Sequence, residues 1–179
     1  MAKFTLIPFD TSSSPNINLE AEINQNDESL FISFRINKGV ELIDLGSTSP
    51  NKKRIQKLWE KTCFEFFIKN QNGEYLEFNF SPSFEWNCFS FKTLRGPLVE
   101  WELMQTPATD ILLSLDNFFL VTELKKIFFP KGFFEADSQC EISLTSVIKD
   151  RQGSISYWAL AHKESRPNFH DYKTFVKYN

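Results

Sequence analysis

Residues 58–86 read LWEKTCFEFFIKNQNGEYLEFNFSPSFEW. Apolar and polar side chains alternate on both sides of Asn72-Gly73, the period of strands whose two faces meet different surroundings. Two hairpin registers compete. A two-residue loop at Asn72-Gly73 sets Glu65 against Phe80 and Glu77 against Ile68, which mixes charge and apolar groups on both faces. A three-residue loop, Gln71-Asn72-Gly73, with Gly73 in the left-handed position of a bulge, sorts them. Phe64 then opposes Phe80, Phe66 opposes Phe78 and Ile68 opposes Leu76 on one face. On the other, Cys63 meets Ser81, Glu65 meets Asn79 and Phe67 meets Glu77. A slip of one residue would turn every side chain to the wrong side, so the second register is the expected one.

The same reasoning runs through Pro82-Ser83-Phe84-Glu85 into a third strand, 86–91. Pairing Ser81 with Trp86 sets Asn79 opposite Cys88 and Glu77 opposite Ser90, with Phe78 meeting Phe89 and Leu76 meeting Phe91 on the core side. Three strands then share a polar face of Cys63, Glu65, Glu77, Asn79, Ser81, Trp86, Cys88 and Ser90. Opposed side chains on such a face stand about 5 Å apart, so one ligand can span several of them.

Strand-like alternation recurs along the chain. Residues 19–23 and 30–36 alternate around the turn-forming 24–27 and read as a hairpin. Short strands are expected at 40–45, 99–104 and 111–115, and a strand or the start of a helix at 118–124. A last hairpin is expected between 140–148 and 154–161. Residues 46–57 read as a loop closing in a helical turn. No repeat, low-complexity tract or linker divides the sequence. Many short strands with frequent turns predict an all-β fold, an antiparallel β-sandwich of immunoglobulin or jelly-roll type with at most short helical turns. Residues 1–179 are expected to form one domain.

Composition narrows the functional classes. Twenty basic and 23 acidic residues give a net charge of −3, which offers no stripe for nucleic acid. Lys52-Lys53-Arg54 with Lys57 is the one basic cluster, and a solvated loop is its expected setting. Phe is heavily used, at 20 residues, which suits sheet faces that fill wide gaps between layers. Cys63, Cys88 and Cys140 show no CxxC spacing and suggest neither a disulfide framework nor a zinc site. No signal-peptide core or membrane-spanning run stands out, so a cytoplasmic protein with no membrane partner is expected.

With these residues in view, the chain resembles the DOMON-like superfamily of β-sandwich domains, which includes the family-nine carbohydrate-binding modules. It is most similar to bacterial DOMON-like proteins that stand as single domains. The resemblance rests on LWEKTCFEFFI at Leu58–Ile68 and EFNFSPSFEW at Glu77–Trp86. It continues in LRGP at Leu94–Pro97, SYWALAH at Ser156–His162 and RPNFH at Arg166–His170. It implies two packed antiparallel sheets with a ligand on a sheet face or at its rim. Relatives in the superfamily bind sugars or haem, and the carbohydrate-binding modules hold sugar termini between tryptophans, helped by carboxylates and amides. Trp86 and Glu65 suit such roles, with Trp59 or Trp158 as a second ring. The haem branch uses Met and His, for which Met104, His162 and His170 are the internal candidates here; none lies in a pattern that singles it out, and no cofactor is expected.

Sugar recognition needs a flat ring for the C–H face of a pyranose and paired donors and acceptors for its hydroxyls. The resulting expectation is a non-catalytic domain that binds a small molecule, a sugar or sugar derivative. Trp86 is the stacking platform, Glu65, Glu77, Asn79 and Ser81 the hydrogen-bonding groups, and Arg95 and His170 lie at the edge. Two alternatives stand beside it. Glu65 and Glu77 are also the pair a glycoside-active enzyme would use. A protein-interaction domain would instead bury the polar face as an internal hydrogen-bond network, or cover it with a loop. For Arg95 the competing expectation is an ion pair with Glu85 or Glu100. For His162 it is structural hydrogen bonding, and for Tyr157 and Trp158 it is a place in the core.

Overall fold

The computed structural model describes residues 1–47, 52–135 and 138–178. The chain is built from β1 (Ala2–Pro8), β2 (Leu19–Gln25), β3 (Ser29–Ile36), β4 (Cys63–Lys69), β5 (Tyr75–Phe80), β6 (Trp86–Phe91), β7 (Val99–Glu100), β8 (Ala108–Leu113), β9 (Phe118–Lys125), β10 (Cys140–Lys149), β11 (Ile155–Ala159) and β12 (Val176–Tyr178). Helical structure among the described residues is limited to single 3-10 turns, as at Val40–Leu42 and Leu58–Glu60. All pairings between these strands are antiparallel.

The strands run in the order β7-β6-β5-β4-β10-β11-β1-β2-β3-β9-β8, with β12 pairing β10. β1 is the corner: Ala2–Leu6 pair with β2, while Ile7 and Pro8 pair with β11. The curled sheet thus closes over itself as a sandwich, with β2, β3, β8 and β9 in one layer and β4–β7, β10 and β11 in the other. Phenylalanines fill the gap between them. Phe64 of β4 lies 5.1 Å from the ring of Phe34 on β3 and stacks on Phe118 of β9 at 5.2 Å. Each such side chain, wholly withdrawn from water, contributes about 1.5–3 kcal/mol.

The β4–β5 register follows the alternation. Phe64 pairs with Phe80, Glu65 with Asn79, Phe66 with Phe78, Phe67 with Glu77 and Ile68 with Leu76. Asn70 and Glu74 close the three-residue loop, in which Gly73 takes φ 84°. Any other residue would be strained there.

The next hairpin departs from expectation by one residue. Phe80, not Ser81, pairs with Trp86, and Phe78 pairs with Cys88. The loop is again three residues, Pro82-Ser83-Phe84, because Ser81 N–H donates to the Glu85 carbonyl at 2.9 Å. Phe84 occupies the left-handed position at φ 64°, where a glycine would ordinarily be sought. The Ser81 hydroxyl steadies this turn by accepting from the N–H groups of Ser83 and Glu85, both at 3.2 Å. The slip turns Trp86, Cys88 and Ser90 toward the inner face, and Asn87, Phe89 and Phe91 toward the outer one. Trp86 is 6% exposed and part of the inter-sheet core.

Other differences are smaller. Residues 40–45 make a 3-10 turn and one bridge from Ile43 to Asp150 rather than a strand. The strand expected at 99–104 stops at Glu100. The basic cluster is not wholly solvated: Arg54 stacks its guanidinium 5.2 Å above the Trp86 ring and donates to Asn87 Oδ1 at 2.8 Å. The strands at Ala2–Pro8 and Val176–Tyr178 carry no strong turn signals and were outside the sequence expectation.

Because the indole of Trp86 fills core space, Trp86→Ala is expected to destabilise the protein by about 3–5 kcal/mol. Chemical denaturation measures this directly, and an unchanged midpoint would place the indole outside the core.

A candidate cleft on the outer face of the β4–β5–β10 sheet

The alternation that sends the phenylalanines inward sends Glu65 and Glu77 outward. On the same outer face stand Thr145 and Val147 of β10 and, next to Val147, Tyr157 of β11. This face is not open throughout. After β11 the chain turns back across it, and Phe169, Tyr172 and Phe175 pack on Phe67, Tyr75, Phe89 and Phe91. The Tyr172 hydroxyl fastens the returning segment by donating to the Gly73 carbonyl at 2.9 Å. Tyr75 and Phe91 stack with ring centres 4.4 Å apart.

Where the returning segment leaves the sheet uncovered, a cleft of about 650 Å³ remains. Glu65 and Glu77 line it together with Val147. Its sides come from Trp59, Tyr157 and Phe169, from Arg95 and Leu98 in the loop between β6 and β7, and from Arg166, Asn168 and His170 in the returning segment. Trp59 sits on the 3-10 turn that follows Lys57 in a left-handed conformation, φ 59°, and its ring meets Phe89 edge-on. Tyr157 is 38% exposed.

The two carboxyl groups are almost withdrawn from water, Glu65 at 3% and Glu77 at 5% exposure. Glu65 Oε2 accepts from the Thr145 hydroxyl at 2.9 Å, and Glu77 Oε1 accepts from the Asn79 amide at 2.8 Å. Burial, reinforced by the charge of Glu77, pushes the Glu65 carboxyl well above the usual carboxylate range. Burial also raises Glu77, to about 7, against the opposing effect of the Asn79 hydrogen bond. Both shifts favour the protonated form, in which a carboxyl can donate a hydrogen bond as well as accept one.

His170 stands beside them. Burial and the positive charge of Arg95 lower its pKa to about 4, so the ring is neutral. The Tyr75 hydroxyl lies 2.8 Å from Nδ1 and also accepts the Arg95 N–H at 3.4 Å. The other ring nitrogen, Nε2, faces Glu77 Oε2 at 3.8 Å, too far for a direct hydrogen bond.

Of the residues singled out in the sequence, Glu65, Glu77, Arg95, His170 and Trp59, one of the two candidates for a second ring, come together in this cleft. Asn79 and Ser81 do not line it. Asn79 is wholly buried and positions Glu77, and Ser81 is wholly buried in the turn before β6. Trp86 lies on the opposite side of the sheet, for the reason given above, and Cys88 goes with it. Arg95 pairs with neither Glu85 nor Glu100; its nearest acidic group is Glu164, at 4.0 Å. His162 has a structural contact, with Nε2 3.0 Å from the Ile7 carbonyl. Trp158 is core, as expected, but its neighbour Tyr157 faces the cleft. Arg166 and Asn168 stand in the RPNFH block but draw no site role from the sequence, since loop residues share no period that could group them with the strands.

No family model matches the sequence, and neither does any curated protein. Solved structures do match in fold. A Bacteroides uniformis protein described as a "putative carbohydrate-binding protein" superposes with a TM-score of 0.71 over 99% of this chain and 85% of its own, at 12% identity. A family-nine carbohydrate-binding module from Caldicellulosiruptor kristjanssonii, solved in complex with glucose, superposes with a TM-score of 0.50 over 82% of this chain and 69% of its own, at 8% identity. At these identities the likeness is one of fold. Among the described residues no helix is long and apolar enough to cross a membrane.

The carboxyl groups make stability depend on pH. In acid both folded and unfolded chains carry these protons. Above about 4.5 the unfolded chain loses them, while the folded chain keeps that of Glu77 to about 7 and that of Glu65 beyond its ordinary range. The stability they contribute is thus full in acid and lost as pH rises. His170 acts oppositely: its contribution is present above 6.5 and lost as pH falls toward 4. Between pH 7.5 and 8.5, where His170 is neutral in the folded chain and almost wholly so in the unfolded one, the melting temperature is expected to fall with rising pH, and to fall less in Glu65→Gln. A flat or rising wild-type profile in scanning calorimetry would contradict this.

Proposed function

We propose that the chain is a single non-catalytic domain of DOMON-like type that binds a sugar or sugar derivative in the cleft over Glu65 and Glu77. The observation that carries this reading is the convergence of two nearly buried carboxyls, the Asn168 amide and the rings of Trp59 and Tyr157 on one concave surface. A saccharide needs this combination. Its hydroxyls act as donor and acceptor at once, and a pair of carboxyls shifted toward the protonated form can serve as both partners. Its C–H face packs on an aromatic ring, and in this arrangement Trp59 and Tyr157 take the role assigned to Trp86 from the sequence. The fold shared with a module solved in complex with glucose supports the same reading.

One observation favours a second reading, a glycoside-active enzyme. Glu77 held near 7 is in the range of a general acid working at neutral pH, and Glu65 is its neighbour on the adjacent strand. The binding reading is preferred because one oxygen of each carboxyl is already engaged within the protein, Glu65 by Thr145 and Glu77 by Asn79.

A glycan and monosaccharide screen followed by titration calorimetry tests both. Binding is expected, with Trp59→Ala weakening it at least tenfold and Trp59→Phe retaining part of it. Chromogenic glycosides are expected to release no product. Absence of any saccharide binding would overturn the proposal, and product release that is lost in Glu65→Gln would replace it with the enzyme.

A further inference from the structure

Two guanidiniums border the cleft whose floor is formed by the carboxyls; one has a single weak ion pair and the other no partner among the described residues. Arg95 Nη2 lies 4.0 Å from Glu164 Oε2, and both side chains are nearly half exposed. Such a pair is screened by water and weak. Arg166, exposed at the same cleft, makes no ion pair, hydrogen bond or ring contact with any described residue.

The position of Arg95 is imposed by the backbone. It takes φ 53°, a left-handed conformation that costs energy for a residue with a Cβ, although Gly96 is next in the chain. Its N–H is held by the Tyr75 hydroxyl, and its charge acts on His170 inside the cleft. The strained loop therefore directs a cation toward the site. That cation does not serve to neutralise the floor. Both carboxyls are displaced toward their protonated forms, and His170 is neutral. Arg95 and Arg166 thus present at the border of the cleft two planar forks of donors suited to a carboxylate or a phosphate.

We infer that the ligand is an acidic saccharide, whose carboxylate or phosphate group is gripped by Arg95 and Arg166 while its ring hydroxyls reach Glu65 and Glu77. This rests on the carbohydrate-binding reading and specifies its ligand class. An uncharged sugar would leave both forks facing water, and would gain nothing from the strained placement of Arg95.

Matched pairs of sugars test it by titration calorimetry: glucose against glucuronate, galactose against galacturonate, and glucose against glucose 6-phosphate. The tightest binder of the panel is expected to be anionic and at least tenfold tighter than its neutral partner. Glucuronate and galacturonate against glucose 6-phosphate separates a carboxylate from a phosphate. Arg166→Gln, which removes a side chain with no partner among the described residues and so leaves folding intact, is expected to reduce that preference at least threefold, and Arg95→Gln likewise. Equal or tighter binding of the neutral sugars would overturn the acidic-ligand inference and leave carbohydrate binding standing. An anionic preference that survives in the double variant would overturn the role of the two arginines. Failure of every sugar, neutral or charged, to bind would instead remove the carbohydrate reading, and this inference with it.

Discussion

Four phenylalanines on β4 and β5 set the arrangement on which the rest of the molecule depends. Phe64, Phe66, Phe78 and Phe80 must all enter the space between the sheets, where Phe34 and Phe118 meet them. Strand side chains alternate, so this requirement sends Glu65 and Glu77 to the opposite face with no freedom to choose. The placement has a cost, because both carboxyls end up nearly dry and shift toward neutrality. A chain with no use for them would be more stable with apolar or amide side chains at these positions.

The cost is concentrated where a cleft exists. Without the returning segment the outer face would be an ordinary solvated sheet. With it, Phe169, Tyr172 and Phe175 seal one part, and the segment's Arg166, Asn168 and His170 border what is left open. The Tyr75 hydroxyl joins the walls. It links His170 on the returning segment to Arg95 on the β6–β7 loop, so three separate stretches of chain share one polar contact. The site is thus built jointly by a rigid sheet floor and by loops locked onto it, a division that favours preorganisation of the floor.

The sequence made the floor legible and left the walls obscure, for physical reasons that individual residues show. Glu65, Glu77 and the three-residue turn were readable because alternation and Gly73 both report on local geometry. Trp86 was misplaced because its turn uses Phe84, not a glycine, in the left-handed position, and nothing in SPSFEW advertises that choice. A one-residue error in a strand exchanges its faces, so the supposed platform became a core residue. Arg95 and His170 were recognised as edge residues, whereas Tyr157 looked like core because its neighbours Trp158 and Ala159 are buried. Arg166 and Asn168 depend on a tertiary fold-back that no short-range pattern encodes.

The central claim is that the outer face of β4, β5 and β10, not the inner face or the opposite sheet, receives the ligand. Amide and indole NMR shifts recorded while glucose and glucuronate are titrated in test it most directly. Perturbations are expected to gather at the Trp59 indole N–H and at residues 94–98 and 166–170, while the Trp86 indole and the outer face of β1–β3 stay unmoved. Shifts centred on Lys3, Glu20 and Arg35, where the opposite sheet carries its own shallow polar depression, would contradict it.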